Sequence, residues 1–451
     1  MTYAITLVVL IIILLFLFKL YNKDILSPSV VYVFSMFGCT LCSIIGLLNW
    51  NHVSSLKLTT IFIVLLSVIF FAVGEFVVRK ILKVDNSKFK VKENPKIEWW
   101  KILFQIFFLI VTIILMYFEV KRIAKLAGYT NGGLFTMIGY FRNLSILYTT
   151  ELLENGQGVN VIVSQMRKVC EVMCYVNIYF LINNMFFRNI KDKKNLGYFT
   201  IVFLSFILAL LTGGRMQFVI YAVAAIFILL IILQSKYQYR EIIKKYSKSI
   251  AFMLFFLVIG FYIMLPLTGR KNNVDIVSYM SFYLGTSIPS LDIYLDNPTK
   301  PETFGEETLK GFQTVLYKIG INKKISPITT QWITFNVDDE NVMASNIFTS
   351  GKRYYHDFGF VGIAICQFIF GFSISYIYYM TKRKSNVVLL IFTSMFFYMV
   401  IDQIRDDLFY SNFMHINSIF YFGVLVIGYY FLTKFDFNDL KKINYRRGKQ
   451  K

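Results

Sequence analysis

Apolar side chains in this chain fall in long unbroken runs separated by polar stretches, starting near Tyr3 and recurring to Leu432. The runs lie at about 3–20, 28–48, 58–78, 99–118, 169–187, 197–213, 216–234, 250–267, 357–380, 386–404 and 413–433. Each approaches the roughly 20 residues that a helix needs to cross about 30 Å of hydrocarbon. Membrane β-strands would alternate apolar and polar positions, and these runs do not. The pattern predicts an all-α polytopic membrane protein with about eleven transmembrane helices, in a range of ten to twelve. Residues 1–433 make up one helical membrane domain, and residues 434–451 a basic tail.

Composition agrees, with 56% hydrophobic and 18% aromatic residues among 451. A soluble enzyme, a secreted disulfide scaffold and a disordered chain are excluded. All five cysteines (Cys39, Cys42, Cys170, Cys174 and Cys366) sit inside apolar runs, where a thiol behaves as a small hydrophobe.

The net charge of +21 acquires meaning once it is divided among the connections. Short basic clusters follow the first run (Lys19, Lys23), the third (Arg79, Lys80, Lys83), the fifth (Arg188, Lys191), the seventh (Lys236, Arg240), the ninth (Lys382, Arg383, Lys384) and the last. Basic residues stay on the cytoplasmic side, so one alternating thread puts the N-terminus outside and the tail in the cytoplasm. The charge is therefore an orientation signal, and nucleic acid is not an expected partner. Two long connections, 119–168 and 268–356, fall outside. Connections of that length are expected to contain structure and function. Within the second, residues 279–295 read as a re-entrant or peripheral segment. Leu309, Phe312, Leu316 and Ile319 recur at helical spacing, as in an amphipathic surface helix.

Polar groups that are costly to bury mark candidate chemistry in a membrane protein. Leu211-Thr212-Gly213-Gly214-Arg215 closes one span and opens the next. Gly213 and Gly214 permit the tight reversal, and Arg215 then begins a helix whose N-terminus suits an anion. Snorkelling to the interface is its alternative role. Lys352, Arg353, His356 and Asp357 crowd the start of the ninth span, where Asp357 also fits a helix N-cap. Arg270 follows Leu267-Thr268-Gly269, and Arg405 precedes Asp406 and Asp407; both also fit helix C-terminal electrostatics. His52, His356 and His415 all fall on or near this face, and histidine titrates nearest neutrality. No HExxH, zinc-ligand spacing, Walker A loop or GxSxG elbow occurs, so neither a metal nor a cofactor is expected.

The stretches Leu211 to Arg215, Asn346-Ile347-Phe348-Thr349 and Tyr355-His356-Asp357-Phe358-Gly359-Phe360-Val361-Gly362, with Gly371 beyond, resemble the oligosaccharide repeat-unit polymerases, the O-antigen or Wzy-type family. The likeness covers about 197–235 and 340–380. It implies a helical bundle similar to the C-type glycosyltransferases, with large extracytoplasmic loops in the bacterial plasma membrane. It implies joining of undecaprenyl-diphosphate-linked repeat units, donor and acceptor both lipid-bound, with a flippase and a length regulator as partners. In that setting Arg215 and Arg353 hold the donor diphosphate and Arg270 or Arg405 assists. His356 or Asp357 takes the acceptor proton, and Gly213, Gly214, Lys352 and His415 support the site. The alternatives are ligation of finished glycan to another acceptor, and a flippase or transporter for lipid-linked sugars. For the transporter, Glu75 and Glu171 are the mid-span charges of note.

Overall fold

The structure is a computed structural model, and it describes residues 1–47, 50, 55–84, 89–147, 157–188, 191–269, 275–321, 331–336 and 342–435. In chain order the helices are α1 Thr2–Leu20, α2 Pro28–Leu47, α3 Leu58–Ile81, α4 Trp99–Leu126, α5 Leu134–Leu147, α6 Val161–Phe187, α7 Lys193–Leu211 and α8 Arg215–Lys236. Then come α9 Tyr239–Leu267, α10 Ile276–Gly285, α11 Ser287–Tyr294 and α12 Lys310–Lys318. The chain continues through a small antiparallel hairpin, β1 Ile333–Asn336 with β2 Val342–Ser345. It ends in α13 Gly351–Lys384, α14 Val387–Phe396, α15 Tyr398–Asp402 and α16 Ile416–Lys434.

Among the described residues ten helices are long and apolar enough to cross a membrane. The chain is thus a multi-pass, all-α membrane protein. The eleventh expected span, 386–404, is a shorter apolar pair, α14 and α15, joined at Phe397. Apolar side chains such as Phe107 on α4, Phe255 on α9 and Ile427 on α16 point outward, as lipid-facing positions do.

Polar contacts sort the helix ends into two groups. Lys382 pairs with Asp24 (2.7 Å), the Lys90 N–H donates to Ser385, Asn183 donates to the Lys92 carbonyl, and Arg188 pairs with Glu93 (2.7 Å). Lys101 donates to the Leu432 and Phe435 carbonyls there too. This is the basic end. At the opposite, loop end, Lys57 pairs with Asp292 and Asp296, Arg142 donates to the Thr268 carbonyl, and Lys168 donates to Asn417. The grouping follows the alternation that the basic clusters predict.

The segment 279–295 does not cross. Phe282 packs on Trp50, and the Ser43 hydroxyl donates to the Gly285 carbonyl (2.7 Å). Ser287 touches Cys39, about two turns inside the end of α2, and Asp292 returns to Thr60 and Lys57 at the start of α3. Both ends of the α10–α11 segment therefore belong to the loop end. The amphipathic helix is present as α12, with Leu309 at its N-cap.

Two boundaries differ from expectation. α6 starts at Val161, where the Asn160 side chain accepts from the Ile162 N–H, so Arg167 and Lys168 lie inside a helix and not in a loop. α13 starts at Gly351 and breaks at Gly359, whose φ of 64° and ψ of −156° only glycine tolerates readily. Asp357 is therefore interior to a short first helix and is not the N-cap of the long one. The expected tail lies outside the described residues after position 435.

Candidate functional site

The turn before Arg215 folds as its glycines require. Gly213 takes φ 69°, its N–H bonds to the Leu210 carbonyl (2.9 Å), and the Gly214 N–H reaches back to Ala209 (3.2 Å). That left-handed residue closes α7, and Gly214 serves as the N-cap of α8. The stem of Arg142 crosses the turn, 3.1 Å from where a Cβ on Gly213 would sit. Arg215 is thereby delivered as the first residue of α8.

Arg215 is 3% exposed, and its guanidinium is enclosed by rings from two other elements. It lies 4.5 Å from the centroid of Phe261 on α9 and 5.9 and 5.8 Å from Tyr279 and Tyr283 on α10. Nη2 donates to the Tyr279 hydroxyl (3.0 Å), while Nε and Nη1 have no hydrogen-bond partner among the described residues. Arg405 approaches the same cage, 4.7 Å over the Tyr283 ring, with Nη1 against the Met216 sulfur (2.7 Å) and Asp402 (3.1 Å). Its Nε is buried and likewise unpartnered among the described residues. Two guanidinium groups thus share one tyrosine; Asp402 pairs with Arg405, and Arg215 has no carboxylate partner among the described residues. Buried donors without acceptors are costly, and a buried positive charge without a counter-charge more so. An anion placed among these N–H groups would relieve both costs.

A hollow of about 540 Å³ lies between α6, α8, α12 and the segment from α14 to α16, and Gln217 and Ile220, which follow Arg215 on α8, line it. Its size falls in the range usual for ligand sites. Arg167, Lys168, Lys310, Gln217, Glu171 and His415 give it a polar lining, with Tyr175, Tyr398 and Tyr421 among the rings. Glu171 pairs with Arg167 (3.0 Å) and accepts from the Tyr421 hydroxyl (2.6 Å). Burial pulls the Lys310 ammonium below its ordinary pKa, with the Arg353 charge adding to the effect and Glu307 opposing it. A smaller pocket of about 160 Å³ shares Arg167, Glu171 and Gln217 and reaches Gly214 and Met216, on either side of Arg215. His415 caps α16, its Nδ1 accepting from the Asn417 N–H (3.1 Å).

The cluster from Lys352 to Asp357 is engaged differently. Lys352 meets Glu307 (2.5 Å), and Arg353 forms a two-pronged pair with Asp406 (2.6 and 2.8 Å). Asp357 accepts from the backbone N–H groups of Glu307 and Thr308, and its side chain is fully enclosed. His356 is buried, with Nδ1 beside the Tyr294 hydroxyl (3.1 Å) and Thr299 Oγ1 (3.2 Å). Asp407, also buried, accepts from Tyr354 (2.8 Å) and Phe409 N–H (3.0 Å); burial pushes its carboxyl up to about 6, against the pull of Arg353. These bonds fasten residues 299–308 and 406–407 to the first turns of α13. No hydrogen bond or ion pair among the described residues joins His356, Asp357 or Arg353 to Arg215.

The structure therefore brings Arg215 together with Arg405 and sets Arg353 apart, on Asp406. Arg270 and His52 lie outside the described residues. Tyr279, Tyr283 and the hollow around Glu171 were not foreseen as parts of a site. The signals were present: tyrosines four apart in an apolar segment, and an Arg and a Glu four apart on a helix face. No family model matches the chain, and neither a curated protein nor a solved structure matches it.

Proposed function

We propose that this chain is a glycosyltransferase that polymerises undecaprenyl-diphosphate-linked oligosaccharide repeat units, with its loop end on the outer face of a bacterial plasma membrane. The observation that carries this reading is the pair of buried Arg215 and half-buried Arg405 around Tyr283, with three buried guanidinium nitrogens unanswered among the described residues. A diphosphate is the anion that suits two planar, permanently charged forks inside a membrane protein. A lipid-borne diphosphate also explains why such a site belongs in a membrane-embedded bundle.

In the proposed step the acceptor hydroxyl oxygen bonds to the donor's anomeric carbon from the face opposite the diphosphate. The bond from that carbon to the phosphate oxygen breaks, and the diphosphate leaves with the electron pair. Negative charge grows on the leaving group, so guanidinium groups already in place stabilise the transition state more than the bound donor. The hydroxyl proton needs an acceptor within hydrogen-bond reach. The Asp357 carboxylate is occupied by backbone N–H groups. Glu171 is held by Arg167 and Tyr421 but opens onto both the hollow and the smaller pocket that reaches Gly214 and Met216, so it takes the role of base here, with His356 and Asp357 holding the 299–308 loop. The extended sugars lie in the hollow, among Arg167, Gln217, Lys310 and the tyrosines.

Deletion of the gene followed by gel separation of surface polysaccharide tests the reading. The expected pattern keeps single repeat units and loses the ladder of longer chains. Complete absence of repeat units at the surface would indicate a lost flippase, and an unchanged ladder would remove this protein from polymerisation altogether.

A further inference from the structure

The basic end holds a second hollow, of about 410 Å³, where the ends of α1, α3, α8, α9 and α13 converge. Lys23, Arg79 and Lys382 face it, together with Asp24 and a wall of tyrosines that includes Tyr21, Tyr239 and Tyr379. We propose that it binds a phosphate-bearing ligand, independently of the reaction at the loop end.

The charge of this hollow is not balanced from within. Asp24 is fully used: Oδ2 takes the Lys382 ammonium (2.7 Å) and the Tyr378 hydroxyl (2.8 Å), and Oδ1 takes the Leu26 N–H (3.2 Å) and Gln234 (3.3 Å). Arg79 has no ion-pair partner among the described residues. It donates to the Tyr379 hydroxyl (2.7 Å) and stands over two rings, 4.8 Å from the Tyr21 centroid and 5.1 Å from that of Tyr379. Glu75 lies one bond further back, behind Tyr379, where Ser27 and the Ser29 N–H hold its carboxylate at the start of α2. Lys23, exposed at the rim with φ 60°, also lacks an ion-pair partner among the described residues.

Stacking fixes the guanidinium plane while leaving its edge for oxygen ligands, which is the geometry arginine uses for phosphate. Basic pockets between membrane helices, at the level where the helices emerge, suit anionic lipid headgroups. A soluble phosphate compound offers the same oxygens, so the shared chemistry is the phosphate group.

Native mass spectrometry of the purified full-length protein with dioleoyl phosphatidylglycerol or phosphatidylcholine tests the site, with thermal unfolding in inorganic phosphate as a parallel arm. Phosphatidylglycerol retained over phosphatidylcholine, and weakened about tenfold by Arg79→Gln and less by Lys23→Gln, places a lipid headgroup there. Stabilisation by inorganic phosphate that Lys23→Gln and Arg79→Gln both diminish places a soluble phosphate there. Lys23 is exposed at the rim, so its substitution reads out binding even if Arg79→Gln disturbs folding. Equal retention of the two lipids, with no effect of phosphate that either substitution alters, would overturn the proposal.

Discussion

Arg215→Lys lowers polymer yield about a hundredfold in cells that depend on this protein, while the variant still reaches the membrane. The substitution keeps one positive charge but removes the planar fork and its contact with Phe261, Tyr279 and Tyr283. A lysine cannot present two parallel N–H groups to neighbouring phosphate oxygens. Burial also disfavours its charged form, which arginine retains. Removing one preplaced donor from a developing oxyanion typically costs roughly 3 kcal/mol, the source of the hundredfold. Arg405→Lys falls in the same direction, with Asp402 still able to pair with the ammonium. Gel analysis of surface polysaccharide from complemented cells measures both. Wild-type yield and chain length with lysine at position 215 would remove the diphosphate from this cage.

Gly371→Val abolishes accumulation of folded protein, through packing alone. α3 and α13 cross at their backbones: a Cβ on Gly371 would lie 2.2 Å from the Phe71 carbonyl oxygen, and one on Gly74 would lie 2.4 Å from that of Phe368. Backbone cannot rotate aside as a flexible side chain can, so valine must push the helices apart. Small residues allow this approach in membrane bundles, and overpacking a tight contact costs about 3 kcal/mol or more. The same two elements are also close at the loop end, where Gly351 sits against Ile63 of α3. Gly423→Ala on α16 serves as the control, because nothing lies within 4 Å of its added methyl. Fluorescence-detected size exclusion and thermal unfolding separate the two, with a monodisperse peak expected for the control and a lost or aggregated one for Gly371→Val.

The spans could be read from the chain because hydrocarbon solvent imposes one demand on every residue of a crossing helix, and the basic clusters supplied the alternation. The boundaries that were missed share a cause. Arg167 and Lys168 made the start of α6 resemble a loop, and Lys352, Arg353, His356 and Asp357 did the same for α13. Their polarity is matched by groups distant in sequence: Glu307 for Lys352, Asp406 for Arg353, Asn417 for Lys168. A window along one segment cannot register such partners. For the same reason Arg353 looked as available as Arg215 until Asp406 was seen against it. The turn at Gly213, by contrast, was legible because its demand is local, a positive φ that glycine meets. Arg405 belongs with Arg215 because α10 slots Tyr283 between them, an arrangement made by tertiary packing.

The most direct measurement reconstitutes the purified protein in proteoliposomes with undecaprenyl-diphosphate-linked repeat units and follows the products by mass spectrometry. Lipids carrying two or more repeats, with one undecaprenyl diphosphate released for each new linkage, are expected from the wild type, and about a hundredfold less from Arg215→Lys. Repeat units that stay single, whether or not they move across the bilayer, would contradict polymerisation at the arginine cage.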